Sequence, residues 1–308
     1  MEDETAGDPV SGLKWTRRTT EKISEELQSM GIHTSSNTVA RLLKSMKFSL
    51  RVNYKKLNTG SATTRATRNQ QFGIIRKTRK RFERKGCPVI SVDTKKKEMI
   101  GLFKNAGTTW RAAPIPVNDH DFKRDAIGMG VPYGIYDSAT KRGTVLLGKS
   151  HDTPEFAVDS IENWWSSEGR KRYRGMKNLF ILADAGGSNS YRSRVWKNRI
   201  QQKLCNRYGL TVSVSHYPPG ASKWNPIEHR LFSQISKNWA GRPLDSYETA
   251  LKYIRTTKTT TGLKVSAHFV RKHYPIGVTV TDTQVAELNI STDPALPKWN
   301  YTIRPNKM

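Results

Sequence analysis

Acidic residues are scarce in this 308-residue chain: 26 Asp and Glu stand against 53 Lys and Arg, a formal net charge of +27. A surface this basic is poorly suited to binding anionic proteins' opposites and well suited to a polyanion, because each phosphate neutralised by Lys or Arg releases condensed counterions. Cysteine is also scarce. Cys87 and Cys205 stand alone, with no Cys-x-x-Cys pair, which excludes a disulfide framework and a cysteine zinc site and leaves both as expected buried small residues. Long apolar runs are missing as well: none approaches the roughly 18 to 20 residues of a membrane span, and no basic-then-apolar segment opens the chain. The expectation is a soluble intracellular protein, with nucleic acid rather than a membrane as its partner.

What is present divides the chain into five stretches. Residues 1–12 are acidic with Gly and Pro and read as a flexible leader. Over 13–50, Ile23, Leu27 and Met30 mark one helical face, Gly31-Ile32 interrupts, and Val39, Leu42, Leu43 and Met46 mark a second helix with Ser35 or Ser36 as N-cap. Two short helices about a glycine turn predict a small all-α helix-turn-helix domain. The opposite face of the second helix carries Asn37, Thr38, Arg41, Lys44 and Lys47, residue types that suit base edges and phosphates; a solvated basic face on a structural helix pair is the alternative. Residues 51–86 read as a basic linker running into a basic helix, either solvated or in contact with DNA.

From Pro88 the apolar period shifts to two. Strands are expected at 88–94, 98–103, 131–137, 143–148, 179–183 and 210–215. Helices are expected at 154–166, with Trp164 and Trp165 in the core, at 189–208 and at 226–239. A run of strands followed by helix, strand, helix, strand, helix is the order of a ribonuclease H-like fold, a mixed α/β sheet flanked by helices, here over 87–243. Residues 244–308 read as a C-terminal helical extension and tail.

In that scheme Asp93 ends the first strand, Asp184 follows the run Leu179–Ala183, and Glu228 lies in the first turn of the helix after Asn225-Pro226. Carboxyl ends of strands and amino ends of helices meet on one rim of an α/β sheet. Three carboxylates gathered there repel one another unless a cation lies between them, and hard oxygen donors point to Mg²⁺ or Mn²⁺. The chemistry expected of such a site is in-line displacement at phosphorus, with water or a DNA 3′-hydroxyl as attacker. Lys95, Lys96 and Lys97 directly follow Asp93 and are expected to meet the phosphate backbone. In "YPPGASKWNPIEHRLF" (217–232), Lys223 and Trp224 offer a phosphate contact and a stacking face. His229 and Arg230 are candidates for DNA contact, His229 equally for an ordinary surface histidine. In "ADAGGSNS" (183–190), Gly186 and Gly187 permit a sharp turn, and Ser188 or Asn189 is expected to cap the next helix.

These stretches, with "SVDTKKKE", "VPYGIYD", "HDTPEFAV", "NWAGRPL" and "WNYTI", resemble insertion-sequence DDE transposases of the ISAzo type, within the ribonuclease H-like integrase and transposase superfamily and distantly akin to mariner-like enzymes. The resemblance runs over roughly residues 8–303. It implies that Asp93, Asp184 and Glu228 form a catalytic, metal-holding trio with Mg²⁺ or Mn²⁺. It implies a helix-turn-helix that binds element ends, double-stranded DNA as partner at both element ends and target, and a homodimer or higher oligomer on DNA. Two departures stand out. The family's further helical region upstream of "GDPVSGLKWT" does not precede it here, so part of the end-recognition apparatus is expected to be missing. Ala185 stands where Gly is usual, and Pro226 where Lys is common. A nuclease of the same fold and a DNA-binding remnant are the alternatives. Against pure binding, three clustered anions on a DNA-facing rim would gain a binder nothing.

Overall fold

The computed structural model describes residues 5–7, 14–16, 19–50, 64–221 and 224–306. They fall into two units, divided between Ser61 and Ala62. Among the described residues no helix is long and apolar enough to cross a membrane.

The first unit opens with two short strands, β1 (Thr5–Gly7) and β2 (Lys14–Thr16), paired antiparallel. The expected leader thus contains a paired strand; its other residues lie outside the described set. Two helices follow, α1 (Thr20–Ser29) and α2 (Ser36–Ser45). Thr19 caps α1 by accepting from the Lys22 N–H, and Ser35 caps α2 by accepting from the Thr38 N–H at 3.2 Å. Gly31 makes the turn between them at φ +82°, a left-handed conformation that suits glycine. Ile23 and Val39 are buried between the helices. Leu42 and Met46, expected on the same apolar face as Val39, are 51% and 64% exposed.

The second unit begins with the basic helix α3 (Arg65–Arg84), capped by Thr64. The chain then runs through β3 (Val89–Thr94), β4 (Glu98–Ile100), β5 (Gly128–Asp137), β6 (Arg142–Gly148), α4 (Pro154–Trp164), the single turn α5 (Arg170–Arg172) and β7 (Asn178–Ala183). It continues with α6 (Arg194–Ile200), β8 (Thr211–His216), α7 (Ser233–Asn238), α8 (Tyr247–Thr256), β9 (Lys264–Val270), α9 (Asp282–Ala286), β10 (Ile290–Thr292) and β11 (Asn300–Ile303). The sheet order is β10-β11-β8-β7-β3-β5-β6-β9, with β4 paired to β5. β3, β7 and β8 are mutually parallel, and β5 is antiparallel to both β3 and β6. This mixed sheet flanked by helices is the ribonuclease H-like arrangement that the element order predicts.

Alternation along the strands sends Ile90, Val92, Ile181 and Ala183 to a core shared with α4 and α6, where Trp164 and Trp165 are buried as expected. Val89, Phe180 and Leu182 point the other way and pack against Ile75 and Phe82 of α3. Ile227, Leu231, Phe232 and Ile235 form a third cluster with α8 and residues of β6. Cys87 and Cys205 are buried and free. One expectation changes. Residues 244–308, read from sequence as a helical extension and tail, supply β9 beside β6, β11 beside β8 and β10 beside β11, so they complete the main sheet.

Candidate active site

Register brings two aspartates to the same height. β3 and β7 run parallel with Val92 opposite Ala183. The next residue along each is an aspartate, Asp93 within β3 and Asp184 just past the end of β7, on neighbouring strand ends spaced about 4.8 Å apart. Their side chains share the face of Ser91 and Leu182, since residues two apart on a strand point the same way.

Glu228 comes to this face on the helix spanning 226–238, which opens into a wide π-type turn over Glu228–Phe232. Two small residues in the sheet let that helix approach. A Cβ on Gly134 would lie 2.5 Å from a Phe232 ring carbon, and one on Gly143 would collide with Leu231. The helix start is tied directly to β3. The Ser91 hydroxyl donates to Asn225 Oδ1 and accepts from the Ile227 N–H at 3.3 Å, while Asn225 Nδ2 donates to Asp93 Oδ2 at 3.4 Å. The Asp93 Oδ1 accepts from the Thr94 N–H at 2.8 Å.

Asp184 has its own supports. Its carboxylate accepts from the Asn189 side chain and the Gly186 N–H, and the buried Tyr133 hydroxyl donates to Asn189 Oδ1 at 2.8 Å. Asn189 is therefore a carboxylate support. The cap of α6 is Ser193, which accepts from the Trp196 N–H, in place of the expected Ser188 or Asn189. Gly187 takes φ +58°, the sharp turn foreseen there.

A fourth carboxylate joins the rim. Asp152, two residues before α4, accepts from the Thr94 hydroxyl at 2.9 Å. It could have been found by the rule applied to the other two, because β6 is parallel to β3 and Asp152 follows its carboxyl end.

Burial and mutual repulsion disfavour the charged forms. Burial, then the nearby Asp184, push the Asp93 carboxyl up to about 8. Burial pushes Asp184 up to about 6 against the Asn189 and Gly186 hydrogen bonds, with Asp152 and Glu228 adding to the rise. Burial also raises Glu228, which His229 and Lys95 oppose. The Tyr133 hydroxyl is raised by burial and then by Asp93, Asp152 and Asp184. Asp93, Asp184 and Glu228 are thus linked electrostatically, and Asp152 acts on Asp184 as well.

Such a set fits a hard divalent cation. All donors are carboxylate oxygens, and Asp184 Oδ1 is buried without a hydrogen-bond partner, a state that costs free energy unless something charged or polar faces it. Among the described residues, however, no three His, Cys, Asp or Glu side chains are gathered closely enough to hold an ion as they stand. The trio converges electrostatically without forming a closed ligand cage.

The expected DNA-contacting residues divide. Lys96 and Lys97 are exposed, but Lys95 is not: it is 7% exposed, its Nζ donates to Glu98 Oε1 at 2.5 Å and lies 4.5 Å from the centre of the Trp239 ring. Strand pairing turns Lys95 inward, where its N–H meets the Pro132 carbonyl. It is corrected from a phosphate contact to a buried ion-pair residue. Trp224 is 58% exposed, with its ring edge-on to Phe72 at 5.9 Å. His229 and Arg230 are exposed beside Glu228. Lys223 lies outside the described residues. On α2, Asn37, Arg41 and Lys44 are exposed, whereas the Thr38 hydroxyl meets Ser35 at 3.1 Å in the cap. Lys47 is exposed but falls past the end of α2 at φ +65°, off the helical face to which its spacing assigned it.

A mixed sheet in this order, with acids gathered where its parallel strands end, defines a ribonuclease H-like domain with a carboxylate rim. Within that class the chain belongs to the family described as Rhodopirellula transposase DDE domain, whose model matches residues 1–305. No curated protein matches the chain. Similar solved structures include the Mos1 transposase paired-end complex with left transposon end, at 16% identity and a TM-score of 0.43, matching 77% of this chain and 65% of that one. The Mos1 mariner paired-end complex with Mn has 16% identity and a TM-score of 0.44 over the same shares. The pre-cleavage Mos1 transpososome has 13% identity and a TM-score of 0.44, over 77% of this chain and 66% of that one. The chain thus spans less than two thirds of the length of these Mos1 chains.

Proposed function

We propose that this protein is a metal-dependent DNA transposase that hydrolyses phosphodiesters and transfers strands at the ends of an insertion sequence, with Asp93, Asp184 and Glu228 holding the metal. The observation that carries the reading is the buried Asp184 oxygen without a hydrogen-bond partner, in electrostatic contact with Glu228 and with Asp93 on the adjacent strand. Membership of a DDE transposase family implies a divalent metal, and oxygen donors favour Mg²⁺ or Mn²⁺. When bound, such ions activate the attacking oxygen and stabilise the leaving one.

The chain's own residues supply the rest. Asn225 and the Thr94 N–H orient Asp93, while Asn189 and the Gly186 N–H orient Asp184. Lys96, Lys97, His229 and Arg230 offer positive charge at the rim where a phosphate backbone must approach, and the exposed Trp224 offers a stacking face. Asn37, Arg41 and Lys44 would bind element ends through the helix pair, with the protein working as a dimer or higher oligomer on double-stranded DNA in the bacterial cytoplasm.

The test is cleavage of duplexes carrying the element's ends by the full chain, with Mg²⁺ or Mn²⁺. Asp184→Asn keeps shape and removes charge, so turnover should fall by at least about a hundred-fold, the scale of removing one group that stabilises a transition state, while melting temperature and DNA affinity persist. Undiminished cleavage by Asp184→Asn, or cleavage in excess EDTA, overturns the reading.

A further inference from the structure

The last residue of β8, His216, is fully buried, yet it belongs to no acid cluster and lines no surface. It pairs with Ala183 across the ladder, one residue short of Asp184. Because Asp184 lies past the end of β7, its carbonyl has no partner in the ladder, and a buried carbonyl needs one. The His216 ring provides it, with Nδ1 2.7 Å from the Asp184 carbonyl oxygen. On the other side of the ring, Nε2 lies 3.0 Å from the Tyr301 hydroxyl. That hydroxyl also lies 2.8 Å from Trp196 Nε1.

For a neutral imidazole, donor and acceptor roles along this chain have a single consistent solution. An indole N–H can only donate and a carbonyl can only accept. Trp196 therefore donates to Tyr301, and the Tyr301 hydroxyl, with one hydrogen to give, donates to Nε2. The imidazole is left with its proton on Nδ1, aimed at the Asp184 carbonyl. A second group grips the same strand end from the opposite face: Gln71 of α3, also fully buried, donates to the His216 carbonyl at 2.8 Å and pairs through its amide with Asn300.

We propose that His216 is a positioning residue, held by Trp196 and Tyr301 as the Nδ1–H tautomer, which fixes the Asp184 backbone and so aims its carboxylate into the acidic site. The inference rests on the reading of Asp184 as a metal-holding residue, and it draws Trp196 of α6 and Tyr301 of the terminal strand into the support of that site. Groups that orient a metal-holding residue in this way typically change metal affinity by about 10- to 100-fold when lost.

The experiment uses the full chain, labelled with ¹⁵N and ¹³C, first without metal. Ring nitrogen spectra of His216 should show a proton on Nδ1 and none on Nε2; the opposite tautomer, or a doubly protonated ring at neutral pH, overturns the proposal. His216→Asn keeps an N–H donor at the position of Nδ1, whereas His216→Leu removes it. The Asp184 carbonyl carbon and Ala185 amide resonances should stay near their original positions in the Asn variant and move in the Leu variant. Equal displacement in both shows that only packing matters. If His216→Leu does not fold, Tyr301→Phe serves: Nε2, deprived of its donor, should shift its nitrogen resonance, and an unchanged spectrum overturns the proposal. Mn²⁺ titration then extends the test, with affinity lowered about 10- to 100-fold by His216→Leu and rescued by His216→Asn. Should the unaltered protein bind no Mn²⁺, the metal reading fails, while the tautomer and carbonyl resonances still decide the role of His216.

Discussion

In the two-helix unit Asn37, Arg41 and Lys44 stand exposed, and the side chains buried among its described residues are the apolar Ile23 and Val39. In the sheet unit Gln71, His216 and Asn225 are as buried as the leucines beside them. Asn37, Arg41 and Lys44 on the first unit keep their water and can be exchanged with little disturbance of the fold. The buried polar groups of the second have traded water for protein partners, so each must be hydrogen-bonded and each constrains the backbone around it. One unit carries its chemistry on replaceable surface, the other in its architecture.

The two neighbours Lys95 and Lys96 break this comparison most sharply, since one sequence run contains both kinds of residue. Lys95→Met leaves Glu98 without its partner at a nearly buried position, and loss of one member of a buried pair typically costs about 3 to 5 kcal/mol. Lys96→Met should stay within about 0.5 kcal/mol, as surface changes do. Urea unfolding of the two variants checks this, and equal midpoints would show Lys95 to be as solvated as its neighbour.

A smaller effect separates reading from holding. Arg41→Ala should weaken binding to element ends by about 1 to 3 kcal/mol and relax sequence preference, if α2 meets base edges. Lys96→Ala should weaken binding to all duplexes alike and reduce the slope of log affinity against log salt by about one unit. Titrations on end and scrambled duplexes at several salt concentrations distinguish them. Identical changes in affinity and slope would remove the division between a reader and a phosphate contact.

A further effect concerns pH and falls on the sheet unit. With Asp93 raised to about 8 and Asp184 to about 6 in the folded protein, the fold prefers their protonated forms. That contribution is complete below about pH 4, where an unfolded aspartate is also protonated, and is lost as pH rises through 6 and then 8. The metal-free melting temperature should therefore fall from pH 5 to pH 8.5, less steeply in Asp93→Asn, and Mn²⁺ should offset the fall. A melting curve in EDTA that is flat over this range, or equally steep in Asp93→Asn, would contradict it.

Much of the sheet unit was legible because its strands are continuous apolar runs bounded by turn residues, as at Val89–Val92 and Leu179–Ala183. Asp93 and Asp184 were visible for the same reason: a carboxylate that ends such a run has few places to go. The strands after residue 258 were not legible, since β9 is mostly half-exposed and β10 and β11 are three and four residues long, too short for a period to emerge. Lys95 could not be told from Lys96 and Lys97, because a run of three lysines holds no sign of which one the strand turns inward. Asp152 was legible in principle, through the direction of β6.

The amino-acid order alone determined the basic surface, the element sequence and the strand-end positions of two aspartates, because these depend on charge and on local periodicity. Tertiary structure decided which residues support them. His216 meets Tyr301 across 85 positions of chain, Asn225 meets Asp93 across 132 and Gln71 meets Asn300 across 229. No local pattern records such pairs, since a hydrogen bond between distant residues exists only after the register of the strands has been set.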